Sequence, residues 1–126
     1  MKLLIVDDSA TARMMIGKCV SIVSGGEAEI IEADNGLSAL RRIAENMPEL
    51  ILTDYNMPGM NGEAFLKALK KDETLKVIPV VFITSTKNPK KEETLIEGGA
   101  LQVLHKPVSP PAIAKLFHEL KLLGNN

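Results

Sequence analysis

Short apolar runs punctuate this chain at Leu3–Val6, Leu50–Thr53, Val80–Ile83 and Leu101–Leu104, and stretches of helical period separate them. Each run is mostly β-branched or leucine, which is how strands of a parallel α/β sheet read when helices cover both of its faces. A fifth run, Glu29-Ile30-Ile31-Glu32-Ala33, is half polar. It and the last run, interrupted by Gln102, are expected at the sheet edges. With the other three inside and right-handed crossovers throughout, the strand order is 2-1-3-4-5.

The intervening segments carry start and stop signals for five helices. The first should turn Ala12, Met15, Ile16, Cys19 and Ile22/Val23 inward and stop at Gly25-Gly26. The second starts at Asp34-Asn35-Gly36, with Leu37, Leu40, Ala44 and Met47 as its expected inner stripe, and Pro48 forbids its continuation. A turn-rich loop from Tyr55 to Gly62 leads into a short third helix on Phe65, Leu66 and Leu69. Asn88-Pro89 opens the fourth and Gly98-Gly99 closes it, while Ser109-Pro110 opens the fifth. Ile113, Leu116, Phe117, Leu120 and Leu123 form the stripe of that last helix.

At 126 residues the chain is expected to be one domain, 1–126, with no separate output domain. Its net charge of −1 favours neither nucleic acid nor an anionic membrane. No apolar run approaches the roughly 18 residues a bilayer span needs, and no signal-peptide pattern precedes the first strand. Cys19 is alone, so no intrachain disulfide can form, and a core thiol is the expected role. A monomer in the cytoplasm is the expectation.

In a parallel sheet the carboxyl ends of all strands share one edge, where ligands bind. That edge would collect Asp7 and Asp8 from the first strand, Asp54 from the third, Thr84 from the fourth and Lys106 from the fifth. Three crowded carboxylates repel unless one is protonated or a cation sits among them. Hard oxygen donors forming part of a shell suit Mg²⁺, and the carbonyl of Asn56 could add another oxygen. A metal-screened carboxylate beside a hydroxyl and an ammonium is equipped to take up a phosphoryl group as an aspartyl phosphate.

These residues resemble the receiver domain of two-component response regulators, and the chemotaxis-type (CheY-like) proteins in particular. The resemblance rests on Leu4-Ile5-Val6-Asp7-Asp8-Ser9, on Leu52-Thr53-Asp54-Tyr55-Asn56-Met57-Pro58-Gly59-Met60-Asn61-Gly62, on Phe82-Ile83-Thr84-Ser85 and on Lys106-Pro107. It runs from Lys2 to about Leu123 and implies the doubly wound flavodoxin/CheY-like fold. It implies that Asp54 is phosphorylated, that Asp8, Asp54 and the Asn56 carbonyl bind Mg²⁺ directly, and that Asp7 helps through water. Thr84 and Lys106 would contact the phosphoryl group, and the Lys106-Pro107 bond would be cis. The implied partners are a histidine kinase or histidine phosphotransfer protein and a downstream protein target. The protein would be a phosphoacceptor switch rather than an enzyme, or a relay intermediate passing the phosphoryl group onward. One position departs from the family pattern: Val103 stands where an aromatic residue usually lies. The loop Ser85–Asn88 is therefore expected to carry most of the motion on activation.

Taken singly, several of these residues have plainer readings. Asp8 or Ser9 could cap the first helix, Thr84 could be an ordinary strand residue, and Lys106 a solvated charge. Asp54 is harder to dismiss, because a carboxylate ending a central apolar strand needs a partner. His105 and His118 are expected half-exposed and solvated. Lys87, Lys90 and Lys91 read as the solvent face of the fourth helix or part of a docking surface. A flavin carrier of the same fold would want a hydroxyl-rich loop after the first strand, where two carboxylates stand instead. An aspartyl phosphatase would want an acid at position 56, where the residue is Asn56.

Overall fold

The computed structural model describes residues 1–121. Strands and helices alternate as β1 (Lys2–Val6), α1 (Ala10–Ser24), β2 (Glu29–Ala33), α2 (Gly36–Glu45) and β3 (Leu50–Thr53), followed by α3 (Gly62–Lys71), β4 (Val80–Thr84), α4 (Pro89–Glu97), β5 (Gln102–His105) and α5 (Pro110–Glu119). All strand pairs are parallel, in the order β2-β1-β3-β4-β5. The two polar runs do form the edges. β3 and β4 are buried along their whole length, whereas every residue of β5 is only half-buried.

Side chains alternate across the sheet and feed two separate cores. Leu4, Val6, Ile51, Val80 and Phe82 pack with α2, α3 and α4 on one face. Leu3, Ile5, Leu50, Leu52, Val81 and Ile83 pack with α1 and α5 on the other. Covering both faces in this way is what lets parallel strands be apolar on both sides. Each helix begins on a side-chain cap: Ser9, Asn35, Asn61, Asn88 and Ser109 each accept a hydrogen bond from the backbone N–H three residues on. The caps and stops read from the sequence at Ser9, Asn35, Asn88, Gly98 and Ser109 are therefore in place.

Two inner stripes differ from the expectation. On α1 the buried line is Ile16, Cys19 and Val20, while Met15 and Ile22 are 54% and 66% exposed. Gly17 sits over Ile30 and Ile5 at ordinary contact distance, and the Met15–Ile22 line turns outward. On α2 the contact line is Gly36, Ala39, Leu40 and Ile43, so of the expected stripe only Leu40 faces the core; Leu37, Ala44 and Met47 are exposed. Gly36 packs closely on the loop after β3, where a Cβ would sit 2.8 Å from Met60 Sδ. Both lines have helical spacing, so periodicity alone could not choose between them. β5 runs one residue later than its apolar run, from Gln102 to His105. Leu123 lies outside the described residues.

Gly62 marks the closest approach near the sheet edge. A Cβ there would meet Phe82 Cε2 at 2.5 Å and the Tyr55 backbone at 2.9 Å, neither of which can yield cheaply. Gly62→Ala is therefore expected to cost about 1–3 kcal/mol. Chemical denaturation would check this, and an unchanged midpoint would show that the loop after Asp54 gives way.

Candidate functional site

The sheet register brings the acidic residues together. β1 and β3 are neighbours, with Val6 opposite Thr53, so the residues that follow each strand leave side by side. Carboxylate oxygens of Asp7, Asp8 and Asp54 all lie within 4.8 Å of one another. Asp7 and Asp54 are buried, at 1% and 8% exposure, and Asp8 faces solvent. Buried carboxylates need hydrogen-bond donors, and each has them. Asp7 Oδ1 accepts from the Ser9 N–H at 2.9 Å, and Asp54 Oδ1 from the Tyr55 N–H at 2.7 Å.

The remaining oxygens meet the ammonium of Lys106, which reaches back from the exit of β5. Its Nζ is 2.7 Å from Asp7 Oδ2 and 3.2 Å from Asp54 Oδ2. Burial by itself lowers the pKa of this lysine. The Asp7 hydrogen bond and the charges of Asp54 and Asp7 outweigh burial and raise it above the ordinary lysine value. One ammonium stands against three carboxylates, so the pocket keeps an excess of negative charge.

Thr84 ends β4, buried at 5% exposure, and its Oγ1 accepts from the Thr86 N–H at 3.2 Å. With Asn56, Tyr55 and Asn88 it lines a small cleft past the ends of β3 and β4. Ser9 Oγ caps α1 by accepting from the Ala12 N–H at 3.1 Å, so capping does not account for Asp8. The Lys106-Pro107 peptide bond is cis, as the resemblance implied.

The family model for the response regulator receiver domain matches residues 3–118. The chain belongs to that family. Among relatives of the receiver domain, chemotaxis protein CheY1 of Helicobacter pylori is 33% identical over 127 residues, covering 100% of this chain and 99% of that protein. Chemotaxis protein CheY-3 of Vibrio cholerae is 37% identical over 120 residues, covering 95% of this chain and 88% of that one. Among solved structures, chemotaxis response regulator CheY4 of Vibrio cholerae superposes with a TM-score of 0.83 at 29% identity, covering 94% of this chain and 97% of that one. A putative response regulator from Chloroflexus aurantiacus gives 0.85 at 27% identity, with 95% and 97% covered.

The receiver's donor set suits a hard divalent cation. Three carboxylates converge with an excess of negative charge, no sulfur or imidazole donor joins them, and the Asn56 backbone carbonyl lies two residues past Asp54. No described helix is long and apolar enough to cross a membrane.

Some participants were not anticipated. Arg13 donates from Nη1 to the Asp7 carbonyl at 2.6 Å and from Nε to Glu32 at 2.9 Å, tying the acidic turn to β2. Its signal in the sequence was a cation in the opening turns of a helix, where the macrodipole disfavours positive charge. Lys91 is not simply solvated: its Nζ lies 4.2 Å over the Tyr55 ring, a cation–π contact next to the acceptor loop. Lys87, Lys90 and His118 are exposed as expected, and Cys19 is a buried thiol. His105 is half-buried, with Nε2 3.0 Å from Glu92 Oε2.

Proposed function

We propose that this receiver domain accepts a phosphoryl group on Asp54 from the phosphohistidine of a histidine kinase or histidine phosphotransfer protein, and that the modified form binds a downstream protein differently. The observation that carries this reading is the Lys106 ammonium lying against both Asp7 and Asp54 at the mouth of the sheet. A carboxylate oxygen of Asp54 attacks phosphorus, the P–N bond to the donor imidazole breaks, and the histidine leaves as the neutral ring after taking up a proton. Lys106 supplies positive charge to the phosphoryl oxygens, and the Thr84 hydroxyl, at the end of β4, would donate to another. Asp7, Asp8, Asp54 and the Asn56 carbonyl would hold Mg²⁺. When bound, the metal screens the carboxylates and neutralises charge on the transferred group. The protein then catalyses only its own phosphorylation and dephosphorylation, and works as a cytoplasmic switch.

Intact mass after incubation with acetyl phosphate and Mg²⁺ tests the reading. A gain of one phosphoryl group is expected, and an unmodified protein would overturn it. Lys106→Ala and Thr84→Ala should still take up the group, more slowly, because neither side chain is the nucleophile. Both should lose the response that follows, since each would bond the new group and pull its own strand end. Amide chemical shifts on either side of modification separate the two steps. A full wild-type response in both variants would remove these residues from the switch.

A further inference from the structure

Behind the acidic pocket, polar contacts close a ring that phosphoryl uptake does not itself require. The Thr84 hydroxyl oxygen accepts from the Thr86 N–H in the loop before α4. At the far end of that loop, the Asn88 N–H donates to Glu92 Oε2 at 3.3 Å, and the Asn88 side chain accepts from the Lys91 N–H at 3.1 Å. Glu92 Oε2 also meets His105 Nε2 at 3.0 Å. His105 is the register partner of Thr84, and it directly precedes Lys106, whose N–H donates to the Thr84 carbonyl at 2.9 Å. Both residues that would grip the phosphoryl group are therefore tied to Glu92, one through the loop and one through His105.

Little else holds α4. Of its nine residues only Leu95 is buried, and Ile96 is 46% exposed. An element with so few apolar contacts belongs to the low-stability end of a fold, where polar ties count for more. Val103 lies on the same sheet face two residues before His105, and a β-branched side chain has few rotamers with which to relay movement. The hydrogen bond from His105 holds the Glu92 carboxyl below its ordinary pKa; partial burial opposes this, and the Asn88 N–H and the Lys87 charge add to it. Glu92 Oε2 and His105 Nε2 are thus hydrogen-bond partners. Lys87 in the loop adds a charge near the pair, while Lys91 on α4 lies over Tyr55 and Lys106, just past β5, turns its Nζ to the acids. β4 presents the neutral Thr84.

We propose that the His105–Glu92 contact is the positioning link through which a phosphoryl group at Asp54 moves α4. The inference rests on the reading of Asp54 given above. Neither residue touches the reacting atoms; they act through Lys106 and Thr84.

The test uses the full chain with Mg²⁺ and beryllofluoride as the phosphoryl mimic. Amide chemical shifts at Tyr55 and Thr84 report the site, and those of residues 89–97 report α4. The quantity read is the α4 response relative to the site response, which removes any effect of a substitution on binding itself. His105→Ala should lower this ratio about two- to fivefold, the range expected for a half-exposed pair. His105→Gln, which keeps a hydrogen-bond donor, should restore part of it. Glu92→Gln combined with His105→Ala should cost no more than His105→Ala alone, as two partners in one contact require. An unchanged ratio in these variants, with the site shifts intact, would overturn the link alone. Absence of site shifts in the wild type would overturn the reading of Asp54 and the link with it.

Discussion

Asp54→Asn should abolish phosphoryl uptake from acetyl phosphate or phosphoramidate in the presence of Mg²⁺. Asp54 is the buried carboxylate that directly follows β3 and one of two in contact with Lys106. The other, Asp7, follows β1 and has its oxygens committed to the Ser9 N–H and to Lys106 at the shorter distance of 2.7 Å. An amide is isosteric with the carboxylate and keeps an acceptor for the Tyr55 N–H, so folding should survive. It cannot serve as the anionic nucleophile. Intact mass should show no gain in the variant, and circular dichroism should show an unchanged fold. Labelling of Asp54→Asn at the wild-type rate would transfer the acceptor role to another acid.

Asp8→Ala should weaken Mg²⁺ binding at least about tenfold, since outer partners of metal ligands already matter on that scale. In metal-free buffer the same variant should be slightly more stable, by about 0.5 kcal/mol. Asp8 is solvent-exposed and crowded by two carboxylates, so removing it relieves repulsion that water partly screens. Because Ser9 makes the α1 cap, the substitution leaves the helix start intact. Mg²⁺ should reverse the order, since only a protein that binds the ion gains stability from it by mass action. Denaturation midpoints with and without Mg²⁺ provide the comparison. A large loss of stability without metal would make the acidic pair a structural feature.

Much of this arrangement was legible before any coordinates. Unbroken apolar runs named the inner strands, Glu29, Glu32 and Gln102 named the edges, and side-chain caps dated the helix starts. Once strand ends share one edge, Asp7, Asp8, Asp54, Thr84 and Lys106 must be neighbours, and the acids are. The helix phases were less legible. Leu37 and Met47 are as apolar as Ile43, and only packing against the sheet decides which line is buried. Arg13 and the His105–Glu92 pair escaped notice for a similar reason. Each side chain alone reads as a surface charge, and its partner lies 19 or 13 residues away on a different element.

The sequence by itself determined the strand order, the boundaries of most elements and the identity of the residues at the sheet edge. Those properties follow from local hydrophobicity, from capping chemistry and from the alternation of a strand, all of which act over a few residues. Tertiary structure alone decided which face of α1 and α2 is buried, that Lys106 bridges Asp7 and Asp54, and that α4 is fastened to β5 through Glu92 and His105. Those outcomes depend on distances between elements a few ångströms apart in space and up to 99 residues apart along the chain. Close packing sets such distances collectively, and no single segment carries them.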